Sequence, residues 1–382
     1  SSSMLGHSWR TERDKAERGR ADGVHVFAGV QGPDRASVIK PESQASWRSY
    51  EEGGPAHLAI LLTDPRSAWM GLVQGLRTMG VPFVVTQDVA LALRHRVVLV
   101  YPTISGKVLP AESLRALARH PAQGGSLLGF LVEGGGLQEV FGFSEVAQGT
   151  RHHQVQFDRT QALTNILTEE RELTVPFASA RADDGTNLAS VSYQGATQAL
   201  ARYEDGTVAM TSRQVGAGHA YALGVDLGAL FLIGQNNREQ GVARAYVNQY
   251  EPAMDVWLRL LKRLYELGEP QAVTLSTVPH GAPLAVVMSH DIDYTRSIVN
   301  ASAYAAFEAS NAVPATYFIQ TKYVRDWNDQ VFFNALGVEH LRKVHGLGQE
   351  IASHSVAHSQ VFHRAELGSG QEQYPGYQPF VH

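Results

Sequence analysis

The chain has 382 residues and a formal net charge of −5, and 18% of its residues are charged. That length suits two or three domains, each with its own hydrophobic core. The charge provides no basic surface for nucleic acid and no polybasic membrane anchor, and no apolar stretch is long enough to span a bilayer. Cysteine is absent, which excludes disulfides, thiolate metal ligands and a cysteine nucleophile.

Residues 1–56 form a charged lead that is expected to be partly disordered. The first seven residues are typical of a cloning remnant and not of a signal peptide. Order is expected to begin at residue 57, where the first apolar run starts.

Strands and helices are predicted to alternate after this lead. Apolar runs typical of strands are separated by stretches of helical spacing, at residues 57–62, 67–79, 81–86, 89–93, 97–101, 111–120 and 126–132. This alternation predicts an α/β domain with a parallel, doubly wound sheet. Three glycines at 134–136 predict a tight turn, because the pattern of a phosphate-binding loop is missing.

Residues 150–215 carry short alternating runs and a hairpin signal at 204–206, which predict a β-rich insertion or an antiparallel edge of the sheet. With the stretches at 138–142 and 216–228, residues 57–234 resemble the class I glutamine-amidotransferase-like (flavodoxin-like) domain found beside carbohydrate enzymes. Amidotransferase chemistry needs a cysteine thiolate, so the resemblance implies an accessory module. A long helix at about 239–267 and a linker complete the segment 235–282.

Two short motifs near the C-terminal end carry the candidate chemistry. Asp291 and Asp293 close the apolar run 283–288, which predicts a buried strand of a parallel sheet, and both project from one face. His354 and His358 are four residues apart and point the same way on a helical turn. Two histidines and a carboxylate can hold a divalent metal, while a second carboxylate can take a proton from metal-bound water.

Each motif has an ordinary explanation when it stands alone. An Asp-x-Asp at a strand end commonly makes turn hydrogen bonds, and a His pair on a helix face is commonly solvated. Both motifs, however, follow predicted strands at their C-terminal ends, where catalytic groups collect in α/β proteins. Their shared position at strand ends favours a catalytic metal site over these ordinary explanations.

These motifs resemble those of the polysaccharide deacetylases of the NodB-homology type, which are carbohydrate esterase 4-like. The similar stretches are residues 289–294, 314–319, 348–354 and 353–359. The resemblance implies a distorted (β/α) barrel of the deacetylase type from residue 283, of which only the N-terminal part is recognisable before residue 382. It further implies that Asp291 is the catalytic base, while Asp293, His354 and His358 hold a divalent metal, most simply Zn²⁺.

The function that the resemblance implies is a metal-dependent hydrolase. It would remove N-acetyl groups from an N-acetylhexosamine polysaccharide, such as an exopolysaccharide or a cell-wall glycan, and would therefore work outside the cytoplasm. Tyr294 is expected to line the sugar cleft. A small-amide hydrolase on the same scaffold and a non-catalytic glycan-binding protein are the alternatives.

Overall fold

The computed structural model describes residues 46–178, 180, 188–236, 254–293, 295–320 and 335–355. They divide into two compact units, the N-terminal unit (residues 46–281) and the C-terminal unit (residues 282–355). The elements of the N-terminal unit are β1 (Leu58–Leu62), α1 (Trp69–Thr78), β2 (Phe83–Thr86), α2 (Val89–Ala92), β3 (Val97–Tyr101), α3 (Ala111–Ala122), β4 (Ser126–Phe130), α4 (Gln138–Phe141), β5 (Glu145–Ala147), β6 (Gln154–Phe157), β7 (Thr174–Pro176), β8 (Ser192–Gln194), β9 (Ala199–Tyr203), β10 (Val208–Val215), β11 (Gly218–Leu223), α5 (Leu227–Asn236) and α6 (Met254–Gly268). The elements of the C-terminal unit are β12 (Ser289–Ile292), α7 (Thr295–Ser310), β13 (Thr316–Ile319), α8 (Ala335–Gly346) and β14 (Glu350–Ser353).

Parallel strands form one half of the N-terminal sheet, in the order β2-β1-β3-β4-β11. Both β1 and β3 are buried along their whole length. Their sequences are continuous apolar runs because both faces of a helix-covered parallel strand avoid water. The predicted alternation of strands and helices is confirmed here, and β3 has the predicted bounds.

The other half of the sheet is antiparallel. After β11 the order continues through β10, β9, β6 and β7, so the sheet as a whole is mixed. The hairpin between β9 and β10 turns at Gly206, whose φ of +84° is one that glycine adopts without strain. The predicted β-rich segment therefore extends the same sheet. This segment is an antiparallel edge of the sheet, which is one of the two arrangements that its sequence pattern predicted.

Two hydrophobic clusters lie on opposite faces of the sheet. Alternate residues of β1 belong to different clusters, as expected where successive side chains point to opposite faces. Helices α1, α5 and α6 cover one face, with Trp69, Phe231 and Trp257 fully buried among them. Helices α3 and α4 cover the other face, with Leu117 and Phe141 at its centre. The unit therefore has three layers.

Helices α1 and α5 approach each other closely at two glycines. A Cβ atom on Gly71 would lie 1.9 Å from the carbonyl oxygen of Gly228, which is closer than any real Cβ contact. Only glycine fits at this crossing.

The N-terminal unit also gathers a serine, a histidine and an aspartate. The ring of His152 lies 2.9 Å from Ser190 Oγ through Nδ1 and 3.0 Å from Asp205 Oδ2 through Nε2, and it stacks on Tyr203. Acyl transfer needs a serine that substrate can reach and a carboxylate that is buried. Here the exposure is reversed, because His152 and Ser190 are buried and the Asp205 side chain is 39% exposed. The cluster holds the β9–β10 turn in place.

The C-terminal unit is a three-stranded parallel sheet in the order β12-β13-β14. Helix α7 connects the first two strands, and α8 precedes the third. One face of the sheet carries the apolar cluster that packs with these helices, including Ile292, Ile298, Tyr317, Ile319 and Val344. Side chains at alternate positions point to the opposite face.

The expectation of a buried strand at residues 283–288 was wrong. The strand is β12, which begins at Ser289, and the preceding apolar side chains are exposed, Val287 by 85%. Composition alone predicted this strand, but a strand also needs a hydrogen-bonding partner. Pairing begins only where the N–H of Thr316 donates to the carbonyl of Met288, so Asp291 lies inside β12 and not beyond it.

Helix α6 begins at Met254 in the described part of the chain, and the expected beginning of the long helix near residue 239 lies outside it. None of the described helices is both long enough and apolar enough to cross a bilayer.

Candidate functional site

Polar side chains form one row at the C-terminal ends of the three strands of the C-terminal unit. The last residues of β12, β13 and β14 are paired in register, so the residues that follow them, Asp293, Gln320 and His354, stand side by side. The N–H of His354 donates to the carbonyl of Ile319 at 2.8 Å, which extends this register by one residue. Asp291 precedes Asp293 by two residues and shares its face of the sheet. We call Asp291, Asp293, Gln320 and His354 the strand-end cluster.

The imidazole of His354 contacts both carboxylates. Its Nε2 lies 3.3 Å from Oδ1 of Asp293 and 3.8 Å from Oδ2 of Asp291. The side chain of Asp291 is 58% exposed, whereas those of Asp293 and His354 are about one-quarter exposed. Asp291 is therefore the carboxylate that solvent or a ligand reaches most easily.

These carboxylates raise the pKa of His354 above its ordinary value. The largest cause is the hydrogen bond with Asp293; burial of the ring opposes it, and the charges of Asp291 and Asp293 add to it. The cluster thus stabilises a positive charge at this nitrogen. A proton and a divalent cation would compete for the same place, since a metal-binding histidine must be neutral.

Gln320 is the member of the cluster that sequence reasoning missed. Its amide Nε2 donates to Oδ1 of Asp293 at 2.6 Å, and the residue is only 1% exposed. No motif marks it, because it follows an ordinary strand and belongs to no recognised pattern. Only the pairing of β13 between β12 and β14 brings it into the row.

A second polar network lies behind the site, on the face covered by the helices. Oε2 of Glu308 on α7 accepts a hydrogen bond from the Tyr317 hydroxyl at 2.6 Å, and its Oε1 is bonded to the His290 ring. Burial alone would raise the pKa of Glu308, but these two hydrogen bonds and the charge of His290 outweigh it and lower the pKa. His290 also stacks on Tyr304 and Tyr317. Because His290 precedes Asp291 in β12, the network anchors the strand that carries the exposed carboxylate.

The structure brings together three of the residues that the sequence analysis selected, namely Asp291, Asp293 and His354. The other two, His358 and Tyr294, lie outside the described residues. Within the described part of the chain, no group of three or more His, Cys, Asp or Glu side chains is arranged to hold a metal.

The chemistry and spacing of two donors nevertheless fit a divalent metal. Ligand atoms about 2.0–2.1 Å from a tetrahedral ion lie roughly 3.3 Å from each other. Nε2 of His354 and Oδ1 of Asp293 have this separation. The distance from the same nitrogen to Oδ2 of Asp291 is longer, at 3.8 Å.

Comparison with known proteins does not support the family that the motifs suggested. No family model matches the chain, and no curated protein matches it. One similar solved structure is a β-galactosidase from Rahnella sp. R3, with 18% identity and a TM-score of 0.31; the match covers 51% of this chain and 32% of that protein. Another is an exo-β-1,4-mannosidase from Opitutaceae bacterium strain TAV5, with 13% identity and a TM-score of 0.32; the match covers 49% of this chain and 34% of that protein. This chain therefore spans about a third of the length of those proteins.

The prediction of a polysaccharide N-deacetylase was wrong. The similar structures are β-galactosidases and a mannosidase, and no family model supports the deacetylase resemblance. The carbohydrate-esterase class and the amide-cleaving reaction are corrected with it. Identities below 25% and TM-scores near 0.3 assign no reaction to this chain.

Proposed function

We propose that the C-terminal unit carries a hydrolytic centre that acts on a carbohydrate. The observation that supports this most is the contact of one imidazole nitrogen with two carboxylates at the C-terminal ends of parallel strands. Such strand ends are the usual place for catalytic groups in α/β proteins.

In this proposal Asp293 and His354, together with His358, hold a divalent cation, most simply Zn²⁺. When bound, this ion would supply a water of lowered pKa and a positive charge beside the bond that is cleaved. Asp291 accepts the proton of the attacking water, because its carboxylate is the most exposed of the cluster and lies beside the ligand pair. Gln320 keeps Asp293 oriented through its amide N–H.

A carbohydrate is proposed as the substrate because the cluster offers hydrogen-bonding groups beside an exposed carboxylate, which suits a ligand rich in hydroxyls. A polymer of N-acetylhexosamines is one candidate within this class, and Tyr294 is a proposed lining residue of the cleft. Action on an exported polysaccharide would place the protein outside the cytoplasm.

The test combines metal binding with product analysis. Protein loaded with Zn²⁺ is incubated with aryl glycosides, oligosaccharides and polymeric glycans, and mass spectrometry detects hydrolysis of whichever bond is cleaved. Wild-type protein should bind one ion and release product, whereas Asp291→Asn should bind the ion and lose turnover by about two to four orders of magnitude. Absence of product from every glycan, or equal turnover by Asp291→Asn, would refute the proposal.

For the N-terminal unit we propose an accessory role on a flavodoxin-like fold. The strand order β2-β1-β3-β4-β11 matches the 2-1-3-4-5 order of such folds and supports this. The chain has no cysteine for amidotransferase chemistry. The C-terminal unit is proposed as part of a (β/α) barrel, and this is supported by its helices on one face of the sheet and its polar groups on the other.

A further inference from the structure

The side-chain amide of Gln320 is satisfied on one side only. Its Nε2 donates to Asp293, whereas its Oε1 is buried and has no hydrogen-bond partner among the described residues. A buried carbonyl without a donor is costly, so such groups are rare in folded proteins and call for a physical reason.

A second buried glutamine in the same unit shows the ordinary arrangement. Oε1 of Gln349 accepts from the N–H of Ala315 at 2.7 Å, and its Nε2 donates to the carbonyl of Val313 at 3.2 Å. It closes the opposite end of the β13–β14 pair, far along the strands from the strand-end cluster. Both of its polar atoms serve the fold.

Turning the amide of Gln320 over does not remove the cost. The carbonyl oxygen would then face a carboxylate oxygen of Asp293, and two acceptors repel each other at hydrogen-bond distance. The observed orientation is therefore the favourable one, and it leaves Oε1 as an acceptor without a donor among the described residues.

We propose that Gln320 is a binding and positioning residue of this site: its N–H holds Asp293, and its buried carbonyl accepts a hydrogen bond from an O–H group of the bound ligand. This inference rests on the proposed function. The O–H group belongs either to a water held by the cation or to a hydroxyl of the carbohydrate, and both present the same donor.

The experiment compares Gln320→Met with Gln349→Met, since methionine keeps the length of the side chain and removes its hydrogen bonds. Zn²⁺ affinity is measured by competition with a chromophoric chelator, and melting temperature is measured without metal. Gln320→Met should bind Zn²⁺ about 10- to 100-fold more weakly, yet melt closer to wild type than Gln349→Met, because it also removes an unsatisfied carbonyl. Gln349→Met should keep the Zn²⁺ affinity and melt at least about 4 °C lower.

Two further measurements complete the test. In wild-type protein the side-chain amide signals of Gln320 should shift on addition of Zn²⁺, and those of Gln349 should not, which needs no variant to fold. On a glycan that wild type hydrolyses, Gln320→Met should lower kcat if the donor is cation-held water, and raise KM if it is a sugar hydroxyl.

The role of Gln320 would be refuted if Gln320→Met bound Zn²⁺ within twofold of the wild-type affinity, or if the amide signals of Gln320 did not shift on addition of Zn²⁺. The metal site itself would remain supported. Wild-type protein that binds no Zn²⁺ would overturn the proposed function and this inference with it. The two failures are therefore distinguishable.

Discussion

Replacing Tyr317 with phenylalanine would remove one hydroxyl from the network that holds β12 against α7. That hydroxyl donates to Oε2 of Glu308 at 2.6 Å, and both residues are buried. The ring stays in place in the variant, so packing is preserved. The change isolates a single hydrogen bond to a charged group.

A hydrogen bond to a charged group contributes about 1.5–3 kcal/mol to the free energy of unfolding. The upper part of this range applies where removal of the donor leaves a buried carboxylate without a hydrogen bond. The Glu308 carboxylate keeps its bond to His290, which limits the loss. A change of that size corresponds to roughly 10- to 150-fold faster opening of the local structure.

Hydrogen exchange detected by mass spectrometry measures this opening in peptides that cover β12, α7 and β13. Tyr304→Phe is the matched control, because Tyr304 stacks on the same His290 ring but is largely exposed. It should change exchange by less than about threefold, in line with a surface substitution of under 0.5 kcal/mol. If Tyr317→Phe exchanged no faster than Tyr304→Phe, the network would not be what holds β12.

The same variant has a predicted pH dependence. The pKa of Glu308 is lowered from its ordinary value of 4.5 in the folded protein. A lowered carboxyl pKa gives stability that is present above the unfolded pKa and is lost as pH falls through the folded pKa. The difference between wild type and Tyr317→Phe should therefore be full at pH 7 and shrink below pH 4.5. A difference that grew on acidification would contradict this assignment.

Other substitutions test the site and the N-terminal unit. Asp293→Asn, His354→Ala and His358→Ala should each lose Zn²⁺, while Asp291→Asn should retain it, and equal loss in Asp291→Asn and Asp293→Asn by metal analysis would mean that the two roles are misassigned. Gly71→Ala should destabilise the N-terminal unit by about 1–3 kcal/mol in denaturant unfolding, because its Cβ would meet the Gly228 carbonyl at 1.9 Å; Gly106→Ala, which has open space, is the control and should change little. Arg259→Met should lower the free energy of unfolding by about 3 kcal/mol, because it removes the cation bonded to the buried Glu172. Adding the second substitution Glu172→Met should recover part of that loss.

The local sequence pattern correctly predicted segments whose side chains are all in the same environment. The strands β1 and β3 are apolar at every position because helices cover both faces, so composition and length alone predict them. The position of Asp291 and Asp293 on one face, near His354, was likewise predicted from spacing and from the position of the motifs at strand ends, and the structure places the three side chains together. The family to which those motifs were assigned was wrong, since short polar patterns at strand ends recur on many unrelated proteins.

Tertiary structure decided the features that depend on a partner distant in sequence. Residues 283–288 have the composition of a strand, yet they stay exposed because β13 provides hydrogen-bond partners only from Met288 onward. Gln320 has no sequence signal; it enters the site because the register of three strands places it between Asp293 and His354. The sequence by itself determined which segments are apolar and which carboxylates and histidines can meet. Strand register assigns every side chain to a face of the sheet and to a neighbour. Register therefore decides which residues pair, which face water and which amide keeps a carbonyl without a hydrogen bond.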